Sequence, residues 1–179
     1  MNKKTIRNDF PIPHPDTLID KTRGSKVFSL IDLWSAYHQV RIHEPGILKT
    51  AFVTPSGHFE YLVAPFGLTN APSTWQTLMN SLLEHLPFVS VYLDDILVFS
   101  KTRNEHADQL RQVISTLQKH KLHAKSTKCS FFKNNVEFLG HVLDCNGVRP
   151  TDSKLKAVRD WPIPTNLKTL QAFLGFVNY

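Results

Sequence analysis

Two adjacent carboxylates interrupt an apolar run in the middle of the chain. Asp94 and Asp95 lie within Val91–Val98, and the other residues of this run are apolar or aromatic. A tight hairpin turn would favour glycine because it needs positive φ, and the run contains no glycine. Two carboxylates near a core are costly unless positive charge compensates them, and Mg²⁺ binds one or two protein carboxylates together with substrate phosphates. The pair therefore indicates either a metal site or a solvated turn.

A third carboxylate, Asp32, also follows an apolar strand, Val27–Ile31. Asp32 could equally cap the segment that comes after it. Three carboxylates at strand ends can meet at one edge of a sheet and hold two metal ions, which clamp the attacking and leaving oxygens of phosphoryl transfer. Spacing along the sequence allows this convergence without proving it.

The elements that must position these carboxylates are strands and helices in mixed order, which predicts an α+β fold. Strands are predicted at 26–31, 88–93, 96–100 and 136–143, with a hairpin around 55–57. Asn70 and Pro72 suit the cap and first turn of a helix, and Thr151 or Asp152 suits the cap of a later one. Helical spacing of apolar residues predicts further helices around 110–117 and 167–177.

Composition and charge exclude several classes of protein. The 179 residues are 41% hydrophobic and 20% charged, include two cysteines, and contain no apolar run near the roughly 18 residues of a membrane span. A secreted disulfide scaffold and a membrane protein are therefore excluded, and an intracellular location is expected. Residues 101–179 hold 13 Lys and Arg against 6 Asp and Glu, whereas residues 1–100 hold 8 against 9. The basic half indicates either a nucleic-acid partner or a solvated face.

Five short motifs are spread along the chain, at 28–39, 49–52, 65–72, 92–95 and 138–141. In their order and spacing they resemble the reverse transcriptase domain of gypsy-type long-terminal-repeat retrotransposons, which is related to the retroviral enzymes, and the resemblance runs over nearly the whole chain. The resemblance implies a right-hand polymerase palm, with an antiparallel sheet backed by helices. It divides the chain into a partial fingers lead-in at 1–25, a palm at 26–150 with a fingers segment at about 43–70, and the start of a thumb or connection region at 151–179.

The resemblance implies an RNA-directed DNA polymerase, part of a Pol polyprotein, that extends a DNA primer on an RNA or DNA template. Deoxynucleoside triphosphates would be its substrates. Ribonuclease H and integrase domains would belong to the same, longer polyprotein, and no membrane would be a partner. Its cofactor would be two Mg²⁺ ions, with Mn²⁺ as a substitute. The protein would be located in the cytoplasm, in the nucleus or in a virus-like particle.

The resemblance also implies roles for individual residues. Asp32, Asp94 and Asp95 would bind the metal ions, with Asp95 in support, and Lys128 would protonate the leaving pyrophosphate. Lys125 is an alternative to Lys128, and both could simply be solvated lysines.

The remaining implied residues would contact substrate or nucleic acid. Tyr37 would exclude a sugar 2′-hydroxyl, although a tyrosine here could also be an ordinary core residue. Gln76 would face the template unless it is a surface residue of its helix. The others are Phe66 and Gly67 in the nucleotide pocket, Tyr92 beside the substrate, and Leu139 and Gly140 in the primer-grip hairpin at 138–141.

Two alternative functions remain open. In the family, upstream fingers residues hold the triphosphate, and this sequence starts after the corresponding segment. The chain could therefore be an inactive remnant that at most binds nucleic acid, and we expect it to retain such affinity while extending primers poorly or not at all. A zinc-binding module is disfavoured, because His120, His123 and Cys129 are not accompanied by a Cys-x₂₋₄-Cys pair.

Overall fold

A four-stranded antiparallel sheet lies at the centre of the computed structural model, which describes residues 2–8 and 10–177. The strands are β1 (Val27–Asp32), β2 (Phe52–Thr54), β3 (Gly57–Phe59), β4 (Val89–Tyr92), β5 (Asp95–Ser100), β6 (Ser130–Lys133), β7 (Asn135–Phe138), β8 (His141–Asp144) and β9 (Gly147–Pro150). The helices are α1 (Pro15–Asp20), α2 (Glu44–Ile47), α3 (Ala71–Leu83), α4 (Arg103–Lys119), α5 (Asp152–Arg159) and α6 (Leu167–Val177). The central sheet has the order β4-β5-β1-β6, and smaller sheets form from β2-β3 and β7-β8-β9. The predicted α+β class is confirmed.

Both faces of the central sheet are buried, which explains why its strands read as continuous apolar runs. Along β5, Ile96 and Val98 pack in a cluster with Trp75 of α3 and Val113 of α4. Leu97 lies on the opposite face, in a second cluster formed with α1, β7 and β8. The carboxylates at the ends of these strands therefore stand on a rigid, two-sided core.

Helix α4 begins where its sequence favours a cap. The Thr102 hydroxyl accepts a hydrogen bond from the Glu105 amide, and the Glu105 carboxylate accepts one from the Thr102 amide, both at 3.3 Å. This capping box satisfies two amides that the helix cannot pair internally. Thr151 caps α5 in a similar way by accepting from the Lys154 amide.

The predicted cap of α3 is wrong in its detail. The Asn70 side chain makes no capping bond. Instead its Oδ1 accepts from the Asn8 amide at 3.0 Å and its Nδ2 donates to the Ile6 carbonyl at 2.8 Å. Asn70 therefore ties the N-terminal segment to the start of α3.

The single strand predicted at 136–143 is two strands joined by a tight turn. Leu139 and Gly140 both have positive φ, 50° and 72°, and Phe138 pairs with His141 across the turn. Two consecutive residues with positive φ are typical of a two-residue hairpin loop.

The hairpin predicted around Pro55-Ser56-Gly57 is confirmed, with Thr54 opposite Gly57.

No helix within residues 2–8 and 10–177 is both long and apolar enough to span a lipid bilayer.

A buried histidine links α4 to the central sheet. His106 is fully buried, with Nε2 2.7 Å from the Ser29 hydroxyl of β1 and Nδ1 2.6 Å from the Ser100 hydroxyl of β5. Burial lowers the pKa of His106, and the nearby charge of Arg103 lowers it further. The neutral ring is therefore the form that the fold stabilises.

We expect His106 to make stability depend on pH. Its folded pKa lies below the unfolded value, so its contribution is fully present above about pH 6.5 and is lost as pH falls from there through the folded pKa. His106→Gln should lower the free energy of unfolding by about 1–3 kcal/mol at pH 7.5. Between pH 7.5 and pH 5, the free energy of unfolding should fall less in this variant than in the wild-type chain. Urea unfolding of the wild-type and His106→Gln proteins at several pH values measures both effects. The same dependence of the free energy of unfolding on pH in the two proteins would contradict the prediction.

Candidate active site

The central sheet brings the three predicted carboxylates to one edge. Asp32 ends β1 and lies directly opposite Asp95, the first residue of β5, in the antiparallel register. Asp94 precedes Asp95 in the turn from β4. Asp32 and Asp94 line a polar cavity of about 210 Å³, whose other walls are Leu33, Trp34, Ser35, Phe66, Lys125 and Lys128.

The turn that carries Asp94 has positive φ without glycine. Leu93 has a φ of 52°, a strained value for a branched side chain. The Leu93 amide donates to Gln76 Oε1 at 2.8 Å, and its carbonyl accepts from Trp75 Nε1 at 2.9 Å. Two side chains of α3 thus bind both backbone groups of Leu93, and these bonds compensate the strain of a positive φ in a turn that has no glycine.

Helix α3 buries the Gln76 side chain against the β4–β5 turn. The side chain is fully buried, and besides the Leu93 amide it binds the Val91 carbonyl at 3.2 Å and the Asn80 side chain at 2.8 Å. The alternative of a surface residue is therefore wrong, because helical spacing alone did not show that this face of α3 packs on the β4–β5 turn. The contact of Gln76 with the template stays a prediction.

We expect Gln76→Met to loosen this turn. Methionine has similar length but makes neither bond, so the Leu93 amide and Val91 carbonyl lose their partner in the interior. This should lower the free energy of unfolding by about 1–3 kcal/mol. Urea unfolding measures the change, with the exposed Gln112→Met on α4 as a matched control. A loss no greater than that of the control would contradict the role of Gln76.

Negative charge is concentrated at this edge of the sheet. Burial raises the pKa of the Asp95 carboxyl, and the charges of Asp94 and Asp32 raise it further, against a lowering by Lys128. The pKa of the Tyr37 hydroxyl is also raised, first by burial and then by Asp94. A bound cation would relieve this repulsion.

The donor set fits a hard divalent cation. Within residues 2–8 and 10–177, no three His, Cys, Asp or Glu side chains are grouped closely enough to form a metal site by themselves. Asp32 and Asp94 do offer two carboxylates to one cavity. Mg²⁺ commonly takes one or two carboxylates and completes its shell with water and substrate phosphates. Asp95 is not among the residues that line this cavity, and its supporting role stays a prediction.

Two lysines line the cavity that Asp32 and Asp94 share. The Lys128 ammonium lies 3.4 Å from the Asp32 carboxylate, and its side chain is 59% exposed. The Lys125 ammonium lies over the Trp34 ring, 5.5 Å from its centroid. Both lysines line the cavity, so the structure does not choose between them.

The predicted nucleotide-pocket residues lie beside the cavity. Phe66 is 61% exposed and lines it, and Gly67 follows with a φ of 89°. The half-buried Tyr37 ring meets Phe66 edge-on at 5.2 Å and Trp75 at 6.4 Å between centroids. Tyr37 and Phe66 therefore form one aromatic wall, of which Phe66 lines the cavity.

Other predicted residues lie away from the cavity. Tyr92 and Leu139 pack against the second core cluster, on the opposite face of the sheet from Trp75. Gly140 shares the β7–β8 turn with Leu139. Conversely, Trp34 and Ser35 line the cavity although sequence reasoning gave them no role. Their position directly after Asp32 was the available indication.

A family model and curated retrotransposon polyproteins are similar to this chain. Residues 1–143 match the family described as reverse transcriptase (RNA-dependent DNA polymerase). Over 181 aligned residues and the whole chain, identity is 42% to the retrovirus-related Pol polyprotein from transposon 297 of Drosophila melanogaster and 37% to the transposon Tf2-3 polyprotein of Schizosaccharomyces pombe. The chain spans only 17% and 14% of these relatives' lengths.

Solved structures with a similar fold include two foamy viral proteins. The protease-reverse transcriptase dRH in complex with double-stranded DNA has a TM-score of 0.90 and is 26% identical. The protease-reverse transcriptase in complex with an RNA/DNA hybrid has a TM-score of 0.84 and is also 26% identical. Each comparison covers 99% of this chain, and 31% and 24% of the other chain.

Proposed function

The chain belongs to the reverse transcriptase family, and we propose that it forms the catalytic palm of an RNA-directed DNA polymerase within a retrotransposon Pol polyprotein. The observation that carries this proposal is the cavity that Asp32 and Asp94 share, with Asp95 opposite Asp32 in the sheet. Its substrates would be deoxynucleoside triphosphates, a DNA primer and an RNA or DNA template. In this proposal residues 1–25 belong to the fingers, 26–150 to the palm with a fingers segment at about 43–70, and 151–179 to the thumb or connection.

Asp32 and Asp94 would hold the divalent ions, Mg²⁺ or Mn²⁺, with Asp95 adding negative charge behind them. When bound, such ions align a primer 3′-hydroxyl with the nucleotide α-phosphate and neutralise charge on the departing pyrophosphate. The protein contributes a rigid carboxylate pair, because β1 and β5 are hydrogen-bonded neighbours in a buried sheet. Rigid placement matters, since misplacement by about 1 Å can cost on the order of 10²-fold in rate.

A lysine ammonium beside the carboxylates would serve as general acid. Lys128 points its ammonium at Asp32, and Lys125 lines the same cavity. Either Nζ would hold a proton that passes to the leaving pyrophosphate.

The wall of Tyr37 and Phe66 would enclose the nucleotide sugar. Packing against Phe66 and Trp75 prevents the Tyr37 ring from moving aside, so it would meet a 2′-hydroxyl sterically. Gly67, with its positive φ and no side chain, would let backbone come close to the same ligand.

Duplex nucleic acid would bind mainly through phosphate contacts of the basic second half, which holds 13 Lys and Arg against 6 Asp and Glu. Leu139 and Gly140 in the β7–β8 turn would contact the primer, and Tyr92 would lie near its end. The foamy viral relatives in complex with double-stranded DNA and with an RNA/DNA hybrid support this class of partner.

Single-nucleotide extension tests the proposal. The purified chain is incubated with a DNA primer on an RNA template, one deoxynucleotide and Mg²⁺ or Mn²⁺, with and without a chelator. We expect slow incorporation that the chelator abolishes. Binding of the primer-template without any incorporation, at any divalent ion concentration, would contradict catalysis and favour the alternative of a nucleic-acid-binding remnant.

A further inference from the structure

One residue of the segment after β1 makes contacts that the proposed function does not use. Gln39 ends a short turn, Ala36–Gln39, and its half-buried side chain reaches a part of the chain 84 residues away. Its Nε2 donates to the Trp34 carbonyl at 2.7 Å and to the His123 carbonyl at 3.0 Å. Its Oε1 accepts from the His123 amide at 2.7 Å.

The chemistry of this contact requires an amide side chain. The Gln39 side chain pairs with both the N–H and the C=O of His123, as a neighbouring strand would. A carboxylate of the same length could accept from the His123 amide, but it would then face two carbonyls without a proton to donate. Alanine would leave the Trp34 carbonyl and the His123 amide to water, while the His123 carbonyl would keep only its bond from the Trp34 amide.

The contact lies where the pairing of β1 would otherwise stop. Beyond Asp32, the chain continues to pair through a bridge between Leu33 and Ala124, and the Trp34 amide donates to the His123 carbonyl at 2.9 Å. Most of the facing segment is exposed, and Leu122 is the residue of 121–128 that belongs to the core cluster. Beyond Leu122, hydrogen bonds to the end of β1 and to Gln39 attach the segment.

The attached segment carries both lysines of the cavity. The Lys125 amide donates to the Asp32 carbonyl at 2.9 Å, and the turn to Lys128 is closed by a bond from the Lys128 amide to the Lys125 carbonyl at 2.8 Å. From this turn the Lys128 ammonium reaches the Asp32 carboxylate. Movement of His123 would thus be passed on to both ammonium groups.

We propose that Gln39 is a positioning residue that clamps residues 121–128 to the end of β1 and so places the Lys125 and Lys128 ammonium groups at the Asp32–Asp94 cavity. The inference rests on the proposed function only for the chemical use of those lysines. The clamp itself is a property of the fold and can be measured without catalysis.

The first test measures the clamp directly. Amide hydrogen exchange of Gln39→Ala and Gln39→Glu should be faster in residues 121–128 by about tenfold or more, because both variants lose the hydrogen bonds from Gln39 Nε2 to the Trp34 and His123 carbonyls. Exchange in β1 and β5 should stay at the wild-type rate. The exposed Gln118→Ala on α4 is the matched control. Unchanged exchange in both Gln39 variants, or faster exchange throughout β1 and β5, would overturn the clamp.

The second test follows the lysines. Brief acylation with acetic anhydride, read by mass spectrometry, should label Lys128 several-fold faster in both Gln39 variants than in the wild-type chain. Lys119, on α4 outside the clamped segment, should be labelled equally in all of them. Equal labelling of Lys128 with and without Gln39 would overturn the placement of the ammonium group.

The third test connects the clamp to catalysis by a double-mutant cycle. Gln39→Ala should lower the single-nucleotide incorporation rate about tenfold in the wild-type background and less than about twofold in Lys128→Ala and Lys125→Ala combined, since coupled residues are non-additive. Additive losses would overturn the link to the lysines. If no protein incorporates nucleotide, the proposed function fails, whereas the exchange and acylation results still decide the clamp.

Discussion

Asp94→Asn is expected to abolish nucleotide incorporation while leaving primer-template binding intact. Asp94 is one of two carboxylates that line the cavity, and a neutral amide there is a much poorer partner for a divalent cation. Losing several kcal/mol of charge stabilisation in the transition state lowers the rate by roughly 10³-fold or more. Duplex affinity should persist because it comes mainly from contacts to phosphates.

The fold should tolerate this substitution. The Asp94 charge raises the pKa of both Asp95 and Tyr37, which means that it repels the ionised forms of its neighbours. Its removal therefore relieves repulsion instead of breaking a favourable pair, and the thermal midpoint should stay the same or rise slightly.

Three measurements on one preparation decide the prediction: single-nucleotide incorporation, fluorescence anisotropy of a labelled primer-template, and thermal unfolding. Asp108→Asn is the matched control, because Asp108 is an exposed acid on α4 whose surface pair with Arg111 is worth little. Incorporation by Asp94→Asn within threefold of the wild-type rate would remove Asp94 from the catalytic site.

Tyr37→Val is expected to admit ribonucleotides. The Tyr37 ring is held edge-on between Phe66 and Trp75, so it forms a fixed wall beside the cavity. Forcing one extra hydroxyl against such a wall costs about 1–3 kcal/mol, which corresponds to roughly 10- to 10²-fold in discrimination. The smaller valine should remove most of that penalty.

The ratio of incorporation rates for a ribonucleotide and the matching deoxynucleotide measures this effect. Tyr37→Phe is the matched control, because it keeps the ring and loses only the hydroxyl, and it should discriminate like the wild-type chain. If Tyr37→Val incorporates deoxynucleotides with unchanged sugar selectivity, Tyr37 is a core residue and not a gate. A loss of selectivity in Tyr37→Phe would assign the gate to the hydroxyl.

The amino-acid sequence by itself determined the strands of the site and the acids at their ends. Apolar runs buried on both faces are recognisable locally, and a carboxylate that ends such a run is conspicuous because its burial is costly. Asp32 and the pair Asp94 and Asp95 could therefore be identified, and the order of the surrounding motifs was sufficient to indicate the family that the comparisons confirmed.

Only the tertiary structure decided how the turns and polar side chains are used. Positive φ at Leu93 could not be foreseen, because the compensating bonds come from Trp75 and Gln76 on a different element. The burial of Gln76 could not be foreseen for the same reason. Between β7 and β8, the apolar residues alone predicted one strand over 136–143, whereas the resemblance implied the hairpin at 138–141 that the structure has.

The same limit applies to Gln39, whose three partners include both backbone groups of a residue 84 positions away. Periodicity along a sequence reports whether a side chain faces the core, because burial repeats with the period of the local element. A hydrogen bond between distant segments depends instead on strand register and loop path, which are set when the sheet assembles. The acids of this site were thus identifiable from the sequence, whereas the side chains that hold them in position were identifiable only from the tertiary structure.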